Sequence, residues 1–293
     1  MKKWIAMMLV ALMAFALAGC EVIGNAGETA ETDAGYKLVE PGKLLVALSP
    51  DFAPMEFVDT SKEGQEQFVG FDVTLANFIA DQLGLELEIR PMAFDACQTA
   101  VQMKAVDMSI SGYSKTEERA ANFSLSDFYY AGENETQQVI IVPAEKAGTY
   151  SAAADFAGLK VGAQIASLQE NLCNTQLEGV TVELFKDIND AVMAMQTGKL
   201  DAVAVAYGNG QAIIANNPNI GMSGFEFEVD EEQSNNVIML NKDSVALTEK
   251  VNEILAIAYE NGYYGQWYAD AKALAGIETA ADVSFDAEGN AVG

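Results

Sequence analysis

The sequence contains no histidine among its 293 residues, and it has 16 lysines and arginines against 43 aspartates and glutamates. The absence of histidine excludes Ser-His-Asp and Cys-His catalysis, imidazole metal sites and a histidine pH switch. The formal net charge of −27 removes the positive surface that binding to nucleic acid or to anionic lipid headgroups requires. An enzyme built on this chain would therefore have to use carboxylates, lysine, tyrosine or cysteine.

Cysteine is also scarce, with three residues at positions 20, 97 and 173. They form no C-x-x-C pair, so we expect neither a metal site nor a redox motif, and no cofactor is indicated. In an exported protein Cys97 and Cys173 could form a disulfide. The alternative is two thiols that pack separately on helices.

Hydrophobic residues make up 50% of the chain and charged residues 20%. A chain of this length and composition can bury a sizeable core, so it is not a disordered protein. Its length suits two modest domains or one large domain.

The N-terminus has the pattern of an export signal. Lys2 and Lys3 precede an uncharged stretch at 4–19, which is shorter than the roughly 20 residues that span a bilayer. The stretch ends in Leu17-Ala18-Gly19-Cys20 and resembles a bacterial lipobox, in which the cysteine receives a lipid before cleavage. We therefore predict a leader at 1–19 and lipidation at Cys20; the alternative is a transmembrane anchor. Small and acidic residues dominate 20–36 without periodicity, which predicts a disordered tether.

The body alternates between strand and helix patterns. Apolar or alternating runs predict strands at 44–48, 85–89, 106–110, 139–142, 160–164, 180–185 and 201–206. Helical spacing predicts helices at 71–83, 95–103, 167–177, 187–197 and 244–261. This alternation indicates an α/β fold with parallel strands, and its recurrence after residue 139 indicates two lobes of similar plan.

The segment SGYSKTEER at 111–119 can hold an anionic group. Ser114 or Thr116 can cap a helix, and Ser114 with Glu117 fits a capping box. Free N–H groups at a helix start attract anions, and the planar guanidinium of Arg119 can bind a carboxylate through two hydrogen bonds. The alternative for Arg119 is a surface salt bridge to a neighbouring glutamate.

Several longer stretches resemble the polar amino-acid substrate-binding lipoproteins of ABC importers, the bacterial extracellular solute-binding proteins of family 3. The stretches are LLVALSPDFAPMEF, FVGFDVTLANFIADQLGLELEIRPMAFDA, VDMSISGYSKTEERAANFSLSDFYY, GLKVGAQIASLQENL and ILAIAYENGYYGQWY. The resemblance covers roughly residues 40–272 and is poor over 207–236.

The resemblance implies a two-lobed periplasmic-binding-protein fold of type 2. Each lobe would be a mostly parallel sheet flanked by helices, with the ligand cleft between them. Lobe 1 would comprise 37–138 plus 237–280, lobe 2 would comprise 139–236, and 281–293 would be a tail. The lobes would close about connections near 137–142 and 233–238.

The resemblance also implies the ligand-binding residues. Arg119 would take the ligand α-carboxylate, helped by the backbone at Gly112 and Ser114 and by the helix start at Ser167 and Leu168. The remaining implied positions are Phe52 and Phe94, which would sandwich the ligand side chain, Glu56, which could pair with a cationic or amide group, and Ser49 and Tyr207. Core packing of the two phenylalanines, a structural hydrogen bond of Glu56 and simple helix capping by Ser167 are the alternatives.

One position departs from the family pattern. Members usually place an aspartate that holds the ligand α-ammonium at the end of the strand 201–206, where this chain has Ala206. Either another group replaces it, with Glu231, Glu232 and the Asn235-Asn236 pair as candidates, or the ligand has no standard α-ammonium.

We therefore expect a monomeric, extracytoplasmic, lipid-anchored protein that binds an amino acid or a similar small carboxylated solute and delivers it to an ABC permease without catalysis. One rival is a dehydratase-like enzyme on the same fold, which turnover of a bound ligand would reveal. Another is a lipoprotein adhesin or sensor with a vestigial cleft. The aromatic residues at 263–268 could form a sugar or base platform, but core packing of a terminal helix is the simpler interpretation.

Overall fold

The computed structural model describes residues 35–130 and 137–277, together with two-residue strands at 30–31, 284–285 and 291–292. The strands are β1 Ala30–Glu31, β2 Lys37–Leu38, β3 Lys43–Leu48, β4 Asp51–Phe52, β5 Glu56–Val58, β6 Phe68–Val69, β7 Glu86–Pro91, β8 Met108–Ser114, β9 Phe123–Leu125, β10 Gln138–Pro143, β11 Lys160–Gln164, β12 Thr181–Phe185, β13 Ala202–Ala206, β14 Ile220–Glu226, β15 Asn236–Asn241, β16 Ser284–Phe285 and β17 Ala291–Val292. The helices are α1 Phe71–Leu83, α2 Phe94–Gln102, α3 Glu117–Asn122, α4 Leu168–Gln176, α5 Ile188–Gln196, α6 Tyr207–Asn216, α7 Val245–Glu260 and α8 Tyr263–Leu274.

The first five-stranded sheet has the order β7-β3-β8-β15-β9, and with its helices we call it lobe 1. β3 is parallel to β7 and β8, whereas β15 is antiparallel to β8 and β9, so all strands except β15 run in one direction. Alternate residues of β3 pack on opposite faces of the sheet. Leu44, Val46 and Leu48 share a core with α1, α7 and α8. Leu45 and Ala47 share another with α2, which explains why the whole run is apolar.

The second sheet repeats this plan in the order β12-β11-β13-β10-β14, and with its helices we call it lobe 2. β11 is parallel to β12 and β13, and β10 is antiparallel to β13 and β14. Every residue of β13 is buried, because Val203 and Val205 pack against α5 and α6 while Ala202 and Ala204 pack against α4. The expected two-lobed α/β fold is confirmed.

The chain crosses between the lobes twice. It leaves lobe 1 after β9 and enters lobe 2 at β10, then returns from β14 to β15. The reversed strand of each sheet is thus the one that follows a crossing. The two crossing segments touch where the Tyr129 N–H donates to the Asn236 carbonyl at 3.0 Å. A hinge at these crossings remains a prediction.

The strand predicted at 106–110 is present as β8, but its bounds differ. It runs from Met108 to Ser114, because Tyr113 and Ser114 pair with β15. The predicted capping box of Ser114 and Glu117 is therefore wrong. Of the two candidate caps, Thr116 is confirmed, since its hydroxyl accepts from the Arg119 N–H at 3.2 Å.

Core packing of the terminal aromatic cluster is confirmed. Tyr264 and Tyr268 are buried, and their ring centroids lie 5.8 and 6.2 Å from that of Phe71 on α1.

Cys97 and Cys173 are buried and unpaired, one in each lobe, which confirms two separately packed thiols. Within the described ranges, no helix is both long enough and apolar enough to cross a bilayer.

The predicted leader at 1–19 and the lipidation site Cys20 lie outside the described residues, as do most of the predicted tether at 20–36 and tail at 281–293. Tyr36, the last residue of the predicted tether, is buried in the core of lobe 1. Helix α6 and strand β14 were not predicted from the sequence, and both lie in the segment 207–236.

Candidate ligand-binding site

A narrow cleft lies between the two lobes. Its lining residues are Phe52, Glu56, Phe94, Ser111, Gly112, Ser114, Arg119, Gln138, Gln164, Ser167, Leu168, Gln169, Ala206 and Asn236. Lobe 1 supplies the charged and aromatic groups, and lobe 2 supplies amides and a helix start.

Arg119 is positioned by the short helix α3, whose start follows directly from the end of β8. Its side chain is buried, with 6% of the residue exposed. Nη1 donates to the Ser114 carbonyl at 2.7 Å, and Nη2 donates across the cleft to the Ala166 carbonyl at 2.9 Å. The guanidinium lies 5.6 and 5.2 Å from the ring centroids of Phe94 and Tyr113. Stacking and two hydrogen bonds thus hold it in one orientation.

No carboxylate in the described part of the chain forms a salt bridge with Arg119. Burial lowers the pKa of its guanidinium to about 10, because the charged form has left water without an anionic partner. A buried cation that is held only by carbonyls and rings is suited to receive a ligand anion. Salt bridging to a neighbouring surface glutamate, the alternative considered for Arg119, is not what the structure shows.

Gly112 is required by the way Phe52 packs. Its φ is +56°, and a Cβ at this position would lie 2.8 Å from Cε1 of Phe52. Only glycine lets the ring of Phe52 approach the backbone so closely. The Gly112 N–H donates to Asp72 Oδ2 at 2.9 Å, so this N–H is already engaged within lobe 1.

Two buried carboxyl groups lie beneath the ligand cleft. Glu56, which lines it, accepts from the Ser111 hydroxyl, and Asp72 accepts from the Tyr129 hydroxyl at 3.1 Å. Burial raises the pKa of Asp72 to about 6 and, together with the charge of Asp72, raises the pKa of Glu56 well above its ordinary value.

Each carboxyl group of this pair has one buried oxygen to which no described protein group donates a hydrogen bond, namely Glu56 Oε2 and Asp72 Oδ1. The raised pKa of Glu56 favours its neutral form in the ligand-free cleft. A cationic ligand group that contacts Glu56 would favour the ionised form and so release the proton.

In lobe 2, the start of α4 lines the cleft. The Ser167 hydroxyl caps the helix by accepting from the Glu170 N–H at 3.1 Å, and it donates to the Gln164 carbonyl at 2.7 Å. Leu168 is the first residue of the helix, so its N–H has no acceptor within the helix. Helix capping by Ser167 and presentation of the Leu168 N–H to a ligand anion are compatible.

Neutral side chains replace the missing acid at Ala206. Gln169 Nε2 donates to Gln138 Oε1 at 2.6 Å beside it. Glu231 and Glu232, the candidate replacements, are exposed and do not line the cleft, and Glu232 pairs with Lys115 at 3.0 Å. Of the candidates considered, Asn236 alone is a lining residue.

Eight of the ten predicted ligand-binding residues line the cleft, and the other two do not. Ser49 is buried and donates to Asp51, whereas Tyr207 packs against the core of lobe 2. Sequence reasoning missed Ser111 and the three glutamines. Gln138 and Gln164 carried a signal, because each is a polar residue at one terminus of an apolar strand, the first residue of β10 and the last of β11. Gln169 lies within α4 and Ser111 within β8, where no such pattern marks them. No group of three or more metal-ligating side chains occurs among residues that the structure describes.

The family model of the bacterial extracellular solute-binding proteins, family 3, matches residues 44–270. The arginine-binding extracellular protein ArtP of Bacillus subtilis (strain 168) is 32% identical over 269 residues, covering 89% of this chain and 94% of that protein. A probable histidine-binding protein of Campylobacter jejuni is 27% identical and covers 89% of this chain and 99% of that protein.

Among solved structures, the amino acid ABC transporter substrate-binding protein AbpA of Streptococcus pneumoniae Canada MDR_19A, bound to L-arginine, is similar to this chain. Its TM-score is 0.73 at 34% identity, covering 81% of this chain and 97% of that chain. These matches confirm the expected role of a solute-binding component of an ABC importer. The chain belongs to the bacterial extracellular solute-binding proteins of family 3.

Proposed function

We propose that the protein captures an amino acid with a cationic side chain, L-arginine first among them, and delivers it to the permease of an ABC importer without chemical change. The observation that carries this proposal is the polarity of the cleft. Within the described ranges, Arg119 provides a buried cation without a carboxylate partner, and Glu56 provides a buried carboxyl oxygen to which no group donates a hydrogen bond. A ligand with a carboxylate at one end and a cation at the other satisfies both groups.

The relatives agree with this choice. ArtP is named for arginine, and AbpA was crystallised with L-arginine. The lobe ranges 37–138 plus 237–280 and 139–236 belong to the same proposal and are supported by the way the strands divide between the two sheets. The lipobox supports attachment of the protein to the membrane through a lipid on Cys20, as a monomer outside the cytoplasm.

A second ligand class is favoured by Ala206. The lobe 2 wall offers amides where a free α-ammonium would need a carboxylate. A ligand whose α-nitrogen is uncharged, such as an Nα-acylated amino acid, would suit Gln138 and Gln169. It would still use Arg119 for its carboxylate.

A melting-temperature screen tests the proposal. Because a ligand that binds only the folded state raises its stability, L-arginine should raise the melting temperature more than neutral or acidic amino acids do. The same screen with Nα-acetyl-L-arginine separates the two ligand classes. A raised melting temperature with acidic amino acids, or none with any carboxylated solute, would contradict the proposal.

A further inference from the structure

Asp51 joins the two lobes without lining the cleft. It lies on β4 of lobe 1 and is 7% exposed. Its Oδ2 accepts two hydrogen bonds from lobe 2, from Gln164 Nε2 and from the Ile188 N–H, both at 2.8 Å. Its Oδ1 accepts from the Ser49 hydroxyl of its own lobe at 2.8 Å. One oxygen thus faces each lobe.

The lobe 2 partner is the start of helix α5, whose first N–H groups have no acceptor within the helix. The N-cap residue Asp187 accepts from the Asn189 N–H at 2.7 Å, which leaves the Ile188 N–H for Asp51. An anion at this end of a helix is also favoured by the helix dipole. Asp51 therefore completes the cap of a helix in the other lobe.

Gln164 connects this contact to the ligand cleft. It is the last residue of β11, and its amide also donates to the Lys186 carbonyl at 3.2 Å, so lobe 2 itself orients the donor. Gln164 lines the cleft, as does Phe52, the neighbour of Asp51 in the chain. Asp51 can therefore form its hydrogen bonds to Gln164 and to the Ile188 N–H only when the two lobes are closed on the cleft.

We propose that Asp51 is a closure latch, a positioning residue of lobe 1 that docks on Gln164 and the start of α5 each time the lobes close and so sets how long a bound solute is held. The inference rests on the proposed capture of a solute between lobes that open and close. Docking removes the carboxylate from water and places it near Asp187, and both effects raise its pKa to about 6. The cost of removing the Asp51 carboxylate from water offsets part of the energy of its hydrogen bonds to lobe 2. The lobes can therefore still open, because the carboxylate is hydrated again in the open form.

The test compares Asp51→Ala, Asp51→Asn and the control Asp59→Ala. The described side-chain partners of Asp59 are Ser61 and Lys62, both close in the chain and in the same lobe. The probes are the dissociation rate of radiolabelled L-arginine and hydrogen exchange at the Ile188 amide. Loss of hydrogen bonds to a charged acceptor should speed dissociation in Asp51→Ala by about 10- to 100-fold. The Ile188 amide should lose protection in the same variant.

Asp51→Asn should recover most of the lost lifetime, because both lobe 2 donors use one oxygen and the new amide can donate to the Ser49 hydroxyl. The melting temperature without ligand should stay near that of Asp59→Ala. Equal dissociation rates in Asp51→Ala and Asp59→Ala, or an Ile188 amide that stays protected in Asp51→Ala, would overturn the latch. If the wild-type protein does not bind L-arginine, the proposed ligand is wrong. The latch can then still be tested without ligand, and equal hydrogen exchange at the Ile188 amide in wild type and Asp51→Ala would refute it.

Discussion

Replacing Arg119 by methionine should abolish recognition of the ligand carboxylate while leaving the lobes folded. The lowering of the pKa of Arg119 from its ordinary value to about 10 corresponds to about 3 kcal/mol of cost for the charged form in the ligand-free cleft. A ligand carboxylate offsets this cost, and truncating one partner of such a buried pair costs about 2–5 kcal/mol, or roughly 30- to 4,000-fold in affinity. Methionine removes the unpaired charge, so the free energy of unfolding without ligand should change much less than the binding energy.

The assay is a double-mutant cycle by calorimetric titration of wild type and Arg119→Met with L-arginine and agmatine, which lacks the carboxylate. Agmatine should bind weakly to both proteins and with similar affinity. Arg119→Lys should recover part of the loss, because lysine keeps the charge but not the planar fork. The control is Arg90→Met, since Arg90 is a surface residue that pairs with Glu40 and Glu88. An equal loss for L-arginine and agmatine in Arg119→Met would refute direct contact with the carboxylate.

Three further predictions follow from the leader, the buried carboxyl pair and the packing at Gly112. Cys20→Ala should fold but partition into the aqueous phase of a detergent extract, and lipid that remains attached to this variant would refute the lipobox. Binding of L-arginine should release a proton, because the cation lowers the raised pKa of Glu56; affinity should therefore rise with pH until the pH passes the pKa of the free protein. Calorimetry in two buffers of different protonation enthalpy measures the release, which Glu56→Gln should abolish; the same enthalpy in both buffers would contradict it. Gly112→Ala should lower stability by about 1–2 kcal/mol through its positive φ and should weaken ligand binding by displacing Phe52, whereas Gly148→Ala, which meets open space, should do neither. Unchanged affinity in Gly112→Ala would show that the Phe52 ring does not shape the site.

Helices and strands were predicted correctly from the sequence where one or both of their faces pack in the core, because such packing leaves a regular pattern of apolar residues. Strand β3 and helix α1 are examples, since a buried run and a 3.6-residue period are visible without knowledge of partners. Helix α6 was missed because Gly208 and Gly210 are poor helix formers. In the fold a Cβ at Gly210 would lie 3.2 Å from Met222 and Val205, so close packing of the helix on its sheet decides the residue.

The candidate site was predicted unevenly for a related reason. Arg119, Gly112 and Phe52 belong to contiguous motifs, and resemblance could place them. Asp72 and Asp51 gain their roles from groups far away in the chain, and in the case of Asp51 from the other lobe. From the sequence alone, each of these aspartates would be interpreted as a helix cap or as a half-exposed surface residue, because its distant partner is not visible there.

Calorimetric titration of the purified protein with L-arginine and L-citrulline tests the central claim most directly. The two ligands share size, carboxylate and α-ammonium, and they differ in the charge that Glu56 is proposed to receive. We expect L-arginine to bind roughly 30-fold tighter or more, the lower end of the cost of an unpaired buried charge. Equal affinities for the two ligands, or tighter binding of L-citrulline, would contradict a cleft built for a cationic amino acid.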